Sequence, residues 1–273
     1  PYTDHKLRPA IMLAGVSVAE IKKVIDRGQK ADSTFPTGQG HFIRTTDKAR
    51  STRYMAFQHT VSAFNHPGGL SLKYVDNHAG PKAANVIKNE QGVLFYFTGL
   101  TTVPELGTNT YHPGALADHL TSFGGQLKPA SAAGQMSILR WLEAGAAGSY
   151  GTANEPCNYT QKFPDTRVLL PFYFRGNTLI EAYWKSVQWP GEGVFVGDPL
   201  ARPWGTKVAL TDNTLTIRTT SLRPMKSYTL KGRKTASGPL ATVKSGIKIT
   251  TYRLHEIVVS PVNHTEYELS QEP

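Results

Sequence analysis

The residues of this sequence best suited to chemistry are a cysteine, two histidines and a glutamate. Cys157 is the single cysteine of the chain and follows Glu155 just after a predicted strand, where α/β folds place reactive groups. A thiol becomes a nucleophile when a nearby base takes its proton and a further group orients that base. Cys157 with His119 or His112 as base and Glu155 as the orienting group would form a cysteine-peptidase site. The alternative is structural, because a lone cysteine is commonly a small buried apolar side chain.

A second group holds all three residue types of a serine-hydrolase triad, namely Asp118, His119 and Ser122. Adjacent residues of a strand point to opposite faces, so Asp118 is poorly placed to orient His119. The chain also lacks the G-x-S-x-G pattern that exposes a nucleophilic serine at a sharp turn. Gly124 and Gly125 could still offer backbone N–H groups to an anion beside Ser122. The sequence favours the structural interpretation, in which the glycines make a turn and His119 is hydrogen-bonded in the core.

The sequence gives no support for a metal or a cofactor. His112, Asp118, His119 and Glu155 are of residue types that bind metal ions, but no H-E-x-x-H or His-x-His pattern is present and the 9 histidines are scattered. A calcium loop of the D-x-D-x-D-G kind and the C-x-x-C pattern of zinc and haem sites are also missing. We therefore predict neither a metal site nor a bound cofactor.

The candidate residues lie within a regular alternation of strand and helix patterns. We predict strands at residues 8–15, 41–46, 70–75, 92–99, 115–125 and 146–152. Helices are predicted between them, the first capped by Ser17 and ended by Gly28, the second capped by Asp47, and a later one opened by Thr178 with Glu181. Residues 92–99 are apolar without alternation, which is typical of a strand buried on both faces. This alternation, as far as about Pro199, predicts an α/β layer with a mostly parallel sheet flanked by helices.

The pattern changes after about residue 200. Short alternating or β-branched stretches separated by turn pairs predict strands at Lys207–Leu210, Thr214–Thr219, Ser227–Leu230, Ile247–Thr251, Glu256–Val259 and Glu266–Leu269. Such a series predicts a small Ig-like or fibronectin-like sandwich. We therefore predict two domains, an α/β domain at residues 1–200 and a β-sandwich at residues 201–273.

Aromatic residues cluster near the predicted domain junction. Aromatic side chains there usually pack two domains together, although they could also stack on a sugar or anchor a partner. The residues concerned are Tyr183, Trp184, Trp189 and Trp204.

The chain is basic, with a net charge of +10 and a pI of about 9.6. Residues 201–273 carry 11 Lys and Arg against 5 Asp and Glu, a net charge of +6. This excess indicates either docking to an acidic surface or another protein chain, or simply a solvated face. The absence of helix-turn-helix, zinc-finger and RNP-type patterns argues against nucleic acid, and no apolar run is long enough to predict a membrane span. Seven of these 11 basic residues are Arg223, Lys226, Lys231, Arg233, Lys234, Lys244 and Lys248.

Three stretches resemble an uncharacterised family of exported bacterial proteins with a C-terminal Ig-like module. They are GALADHLTSFGGQL (Gly114–Leu127), GQMSILRWLEAGAAGSYGTANEPCNYTQKFP (Gly134–Pro164) and GNTLIEAYWKSVQWPGEGVFVGDPLARP (Gly176–Pro203). The resemblance implies a periplasmic or extracellular bacterial protein, which the lack of an intrachain disulfide also allows. Members carry a substantial segment ahead of the part that matches Arg8. The resemblance therefore implies that Pro1 is a processed terminus or that the chain is a shorter relative, and the missing segment is itself a candidate partner.

The order of elements is also similar to the caspase- and gingipain-type peptidase fold, in which a His-Gly follows one central strand and a Cys ends the next. The matching positions here are Thr98-Gly99 and Thr121-Ser122. The resemblance thus implies the fold without the catalytic dyad, as in a pseudoenzyme. The sequence favours a non-catalytic exported binding or assembly protein, with the caspase-like domain as scaffold and the basic sandwich as docking module.

The alternative function is a hydrolase of the cysteine-peptidase type that uses Cys157 with His119 or His112. A third possibility is an enzyme site completed by the missing N-terminal segment. A hydrolase needs a base nitrogen beside the thiol in an open pocket, whereas a scaffold is expected to bury Cys157.

Overall fold

A mixed six-stranded sheet organises the first part of the chain. It is seen in a computed structural model that describes residues 4, 6, 8–79, 84–128 and 133–272; Pro1 and its predicted processing lie outside the described residues. The strands are β1 (Gln39–Arg44), β2 (Ser71–Asp76), β3 (Val93–Gly99), β4 (Tyr111–Leu120), β5 (Gly148–Thr152) and β6 (Gly193–Gly197). Their order is β2-β1-β3-β4-β5-β6. All neighbours are parallel except β6, which runs antiparallel to β5, so the predicted mostly parallel sheet is confirmed.

Helices cover both faces of this sheet. The helices are α1 (Val18–Ala31), α2 (Tyr54–Phe64), α3 (Leu139–Ala144), α4 (Thr166–Phe174) and α5 (Leu179–Ser186). One core joins the sheet to α2, α4 and α5, and a second core joins it to α1 and α3. Among the described residues, no helix combines the length and the apolar character needed to cross a membrane.

The central strand β3 is buried along its whole length, as its unbroken apolar sequence predicts. Phe97 stacks on Phe42 in one core, with ring centroids 5.5 Å apart. Tyr96 faces the other core, where its ring meets Trp141 edge-on at 5.0 Å. Burial of large aromatic side chains on both faces anchors the middle of the sheet, to which the residues of the candidate site are attached.

The predicted strand at residues 8–15 is wrong. Only Met12 pairs with the sheet, by an isolated bridge to Val196, and Met12 and Leu13 are 51% and 44% exposed. This segment lies along the outer edge of β6, so it has a neighbour on one side only. Its apolar residues therefore cover the edge strand β6 only in part and do not form a buried strand.

Two predicted helix boundaries are also wrong. The first helix continues past Gly28 to Ala31, because Gly28 is a packing position: a Cβ there would lie 1.6 Å from the Asp198 Oδ2 atom. Asp47 caps a turn by accepting a hydrogen bond from Arg50 N at 3.1 Å, and α2 begins later, at Tyr54. Sequence reasoning missed α4, which contains an internal proline, and the short strand β6.

Two small antiparallel sheets follow. Their strands are β7 (Lys207–Thr211), β8 (Thr214–Thr219), β9 (Ser227–Arg233), β10 (Ala241–Lys248), β11 (His255–Val259) and β12 (Glu266–Gln271). The sheet β11-β8-β7 and the sheet β10-β9-β12 share a core that includes Ile217, Leu230 and Ile257. Five of the six predicted strands are present, and the sixth is displaced: β10 begins six positions before the predicted Ile247 and shares only Ile247 and Lys248 with the prediction, because a bulge interrupts its apolar alternation.

Trp204 packs at the junction of the two parts, as the sequence predicts for aromatic residues there. It is 2% exposed, stacks on Phe95 at 5.9 Å, and its carbonyl accepts a hydrogen bond from Thr220 of the C-terminal part. The other three aromatic residues lie elsewhere. Trp184 and Tyr183 pack on Phe195 of the α/β part, and Trp189 is 49% exposed.

Candidate functional site

The carboxyl ends of β3 and β4 meet at one edge of the sheet, where parallel α/β folds bind ligands. The carbonyl of Gly99 accepts a hydrogen bond from Thr45 Oγ1 at 2.7 Å. Thr121 Oγ1 donates to Gln135 Oε1 at 2.6 Å and accepts from Arg50 Nε at 3.3 Å. The carbonyl of Gly99 and the side chain of Thr121 are thus tied into a structural hydrogen-bond network, whereas the buried Oγ1 atom of Thr98 has no partner among the described residues.

Ser122 lies in the turn after β4, half-buried beside the end of β5. Its carbonyl accepts a hydrogen bond from Thr152 Oγ1 at 2.9 Å. The backbone N–H of Gly125, a candidate anion donor by sequence, instead donates to the carbonyl of Thr152 at 2.8 Å. The glycines therefore make a turn that ties β4 to β5, as the structural interpretation predicts.

His119 is buried with both ring nitrogens in hydrogen bonds. Nδ1 accepts from Trp141 Nε1 at 3.0 Å, so Nε2 carries the proton and donates to the carbonyl of Met136 at 3.2 Å. Burial lowers the pKa of His119 to about 3, and the positive charges of Arg53 and Arg50 act in the same direction. A neutral imidazole with no free nitrogen does not meet the requirements of a general base.

Asp118 points to the opposite face of β4, as the strand alternation predicts. Its Oδ1 lies 2.6 Å from Arg53 Nη2, and the two side chains are 1% and 3% exposed. Arg53 Nη2 also donates to the carbonyl of Thr98 at 3.0 Å. Burial raises the pKa of Asp118, while the Arg53 guanidinium opposes that shift. Asp118 is therefore the counter-charge of a buried arginine and has no contact with His119.

Cys157 is exposed in a turn after β5, so the expectation of a buried structural cysteine is wrong. Its backbone adopts a φ of 52°, and its N–H donates to Glu155 Oε1 at 3.0 Å. Glu155 therefore orients the turn and not a histidine. The exposed thiol and the buried His119, whose nitrogens are both bonded in the core, are not brought together.

His112 lies near the amino end of β4, at the opposite end of the strands from His119. It is the second residue of β4, and its ring packs beside Gly38 and Gly92, which precede β1 and β3. Cys157 follows the carboxyl end of β5, which is parallel to β4. The parallel arrangement thus separates His112 from the thiol by the length of the strands. Within the described ranges, no group of three or more His, Cys, Asp or Glu side chains is placed to hold a metal ion.

Arg53 is a candidate site residue that sequence reasoning missed. It lies directly before α2, and in the part of the chain that the structure describes its Nε and Nη1 atoms have no hydrogen-bond partner. A buried polar group without a partner is rare enough to require an explanation. The one sequence signal was a lone arginine at the start of an otherwise uncharged helix that follows a strand end.

A cavity of about 180 Å³ lies beside Arg53. It is formed by the start of α2, the segment that leads into α4, and the end of α5, with lining residues between 52 and 56, 160 and 167, and 186 and 188. Thr52 also lines it, with a buried Oγ1 atom that lacks a partner among the described residues. Two neighbouring residues of the cavity wall therefore have buried polar atoms without a hydrogen-bond partner among the described residues.

A second cavity, of about 480 Å³, lies at the junction of the α/β part and the small sheets. Phe35, Phe174, Trp204 and Leu254 are among the residues that line it. None of its described lining residues carries a buried polar side-chain atom without a partner. The smaller cavity beside Arg53 is therefore the better candidate binding site.

Comparison with protein-family models, with curated proteins and with solved structures finds no match to this chain.

Proposed function

We propose that this chain is a non-catalytic exported binding or assembly protein. Its α/β part would be a scaffold of the caspase-like type, and its small sheets an Ig-like docking module. The observation that carries the proposal is the state of His119, a neutral imidazole whose nitrogens are both used by Trp141 and Met136. His119 and Asp118, the candidate acid–base residues at the carboxyl end of β4, therefore stabilise the core.

The basic hairpin formed by β9 and β10 supports the docking part of the proposal. Its strands and turn carry five cations on one antiparallel pair, with Lys234, Lys244 and Lys248 exposed. Arg233 is paired with Glu266 of β12. The exposed lysines make no ion pair within the described chain, so they are available to an acidic protein or surface. The five cations are Lys231, Arg233, Lys234, Lys244 and Lys248.

We expect the double variant Lys234→Glu, Lys244→Glu to bind immobilised polyglutamate roughly tenfold more weakly than the wild type at low salt, because local charge reversal acts within a Debye length. Surface plasmon resonance over a salt series measures the difference. The matched control is Lys22→Glu, Lys30→Glu on α1, which changes net charge equally at two exposed positions. Equal weakening by both variants would show that only net charge matters and would count against a docking hairpin.

The cysteine-peptidase alternative is favoured by one observation, the exposure of Cys157 next to Glu155. Iodoacetamide is expected to label Cys157 in the folded protein because the thiol is open to solvent. We also expect wild type and Cys157→Ser to leave a diverse peptide library equally uncleaved, because neither His119 nor His112 reaches the thiol. Mass spectrometry reads both results. Peptide cleavage by the wild type that Cys157→Ser abolishes would refute the non-catalytic proposal.

A further inference from the structure

We propose that the cavity beside Arg53 binds an organic carboxylate group, such as an acidic side chain of a peptide. This inference rests on the proposed binding function and names the chemistry of the ligand. It is carried by two features of the cavity wall, a buried arginine with unpartnered nitrogens and a helix N-terminus that has no side-chain cap.

The first feature is the guanidinium of Arg53. One of its nitrogens, Nη2, is occupied by Asp118 and by the carbonyl of Thr98. The Nε and Nη1 atoms keep their N–H groups without a partner in the described chain, although Arg53 is 4% exposed and lines the cavity. A guanidinium presents donors in a fixed fork that matches a carboxylate. Both nitrogens are covered by neighbouring atoms, so a ligand oxygen would contact them only after a small shift of the lining side chains. It would then relieve the cost of the unmade hydrogen bonds.

The second feature is the N-terminus of α2, an 11-residue helix whose first turn lines the cavity through Met55 and Ala56. Its N-cap residue is Arg53, and no side chain caps the turn. The uncapped N–H groups of a first turn and the helix dipole make such an end favourable for an anion.

The N-terminus of α4 lines the same cavity and shows what such an end accepts. There Asp165 caps the helix, accepting from Arg167 N at 2.9 Å. The Asp165 carboxylate is further neutralised by the guanidinium of Arg167, with Nη2 to Oδ2 at 2.6 Å. Asp165 is thus already paired and does not compete for Arg53. The uncapped end of α2 and the unused donors of Arg53 remain for a second carboxylate, one supplied by a ligand.

The size and walls of the cavity limit the kind of carboxylate. A volume of about 180 Å³ admits a group of side-chain size. Phe163, Pro164 and Ala56 give one part of the wall apolar character, which suits the methylene groups of an acidic side chain more than inorganic phosphate. The net charge of +10 would attract acidic ligands at long range.

Isothermal titration of the full chain with the capped peptide Ac-Ala-Glu-Ala-NH₂ tests the proposal, with the Gln peptide as the neutral isostere. We expect the Glu peptide to bind at least tenfold more tightly. Free glutarate, as a second arm, shows whether a carboxylate suffices or a peptide backbone is also needed, and binding of either supports the proposal. Equal affinity for the Glu and Gln peptides, or binding of inorganic phosphate alone, would overturn it.

Two variants place the binding in this cavity without touching the Arg53–Asp118 pair. Ala56→Leu fills the cavity and is expected to weaken binding of the Glu peptide at least tenfold. The control Gln58→Leu, at an exposed position of α2 outside the cavity, should leave binding unchanged. Thr52→Val removes one donor at nearly constant volume and is expected to weaken binding severalfold. Unchanged binding by Ala56→Leu and Thr52→Val would refute the site. The docking proposal fails separately, in the polyglutamate experiment, which depends on the β9–β10 hairpin.

Discussion

Replacing Asp118 with alanine is expected to lower the free energy of unfolding by about 3–5 kcal/mol, because it leaves a buried arginine without its counter-charge. The Arg53 and Asp118 side chains are 3% and 1% exposed and lie 2.6 Å apart. Of the two groups that now bond Arg53 Nη2, only the carbonyl of Thr98 would remain. Denaturation by guanidinium chloride at neutral pH measures the change. The matched control is Glu256→Ala, which breaks the exposed pair with Arg218 and should cost less than about 1 kcal/mol.

The double variant Arg53→Met, Asp118→Leu separates the charge from the packing. Removing both charges leaves no buried ion, and well-packed apolar replacements of an ion pair are often neutral or better. We expect it to recover most of the stability that Asp118→Ala loses. A loss below about 1 kcal/mol in Asp118→Ala, or a double variant no more stable than the single one, would show that Arg53 does not depend on Asp118 for its counter-charge.

Acid is expected to destabilise the protein through His119. Its pKa is lowered to about 3 by burial in the folded state, while the unfolded chain titrates near pH 6.5. The unfolded state therefore binds one more proton between these values, and stability falls as the pH drops through that window, by about 1.4 kcal/mol per pH unit. The stabilising contribution is fully present above about pH 6.5. Urea denaturation at a series of pH values from 7 to about 4 measures the slope.

The variant His119→Gln isolates this contribution, because it removes the titrating ring while keeping hydrogen-bonding groups for Trp141 and Met136. Burial also lowers the pKa of His41 and His255, so part of the acid slope should remain in the variant. We expect the slope of His119→Gln to be smaller than that of the wild type by about one proton. Identical slopes for His119→Gln and wild type would show that His119 is not held neutral.

Part of the candidate site could be predicted from sequence alone. The opposite orientation of Asp118 and His119 follows from strand alternation, and the structure shows it in their different partners. The exposure of Cys157 could not be predicted, because a short turn containing one apolar residue gives no periodic signal. Arg53 was missed for a related reason: its partner Asp118 lies 65 positions away in the chain, and no local pattern joins them.

The sequence by itself determined the alternation of strands and helices, the unbroken burial of β3, the two capping sites at Ser17 and Thr178, and the small antiparallel strands after residue 200. These features depend on neighbours within a few positions, where periodicity and capping chemistry act. Tertiary structure alone decided the cavity beside Arg53, which three separate segments of the chain form together. It also decided that His119 serves the core, because the hydrogen bonds that occupy its nitrogens come from Trp141 and Met136, on a later segment of the chain. Such contacts follow from the packing of distant segments.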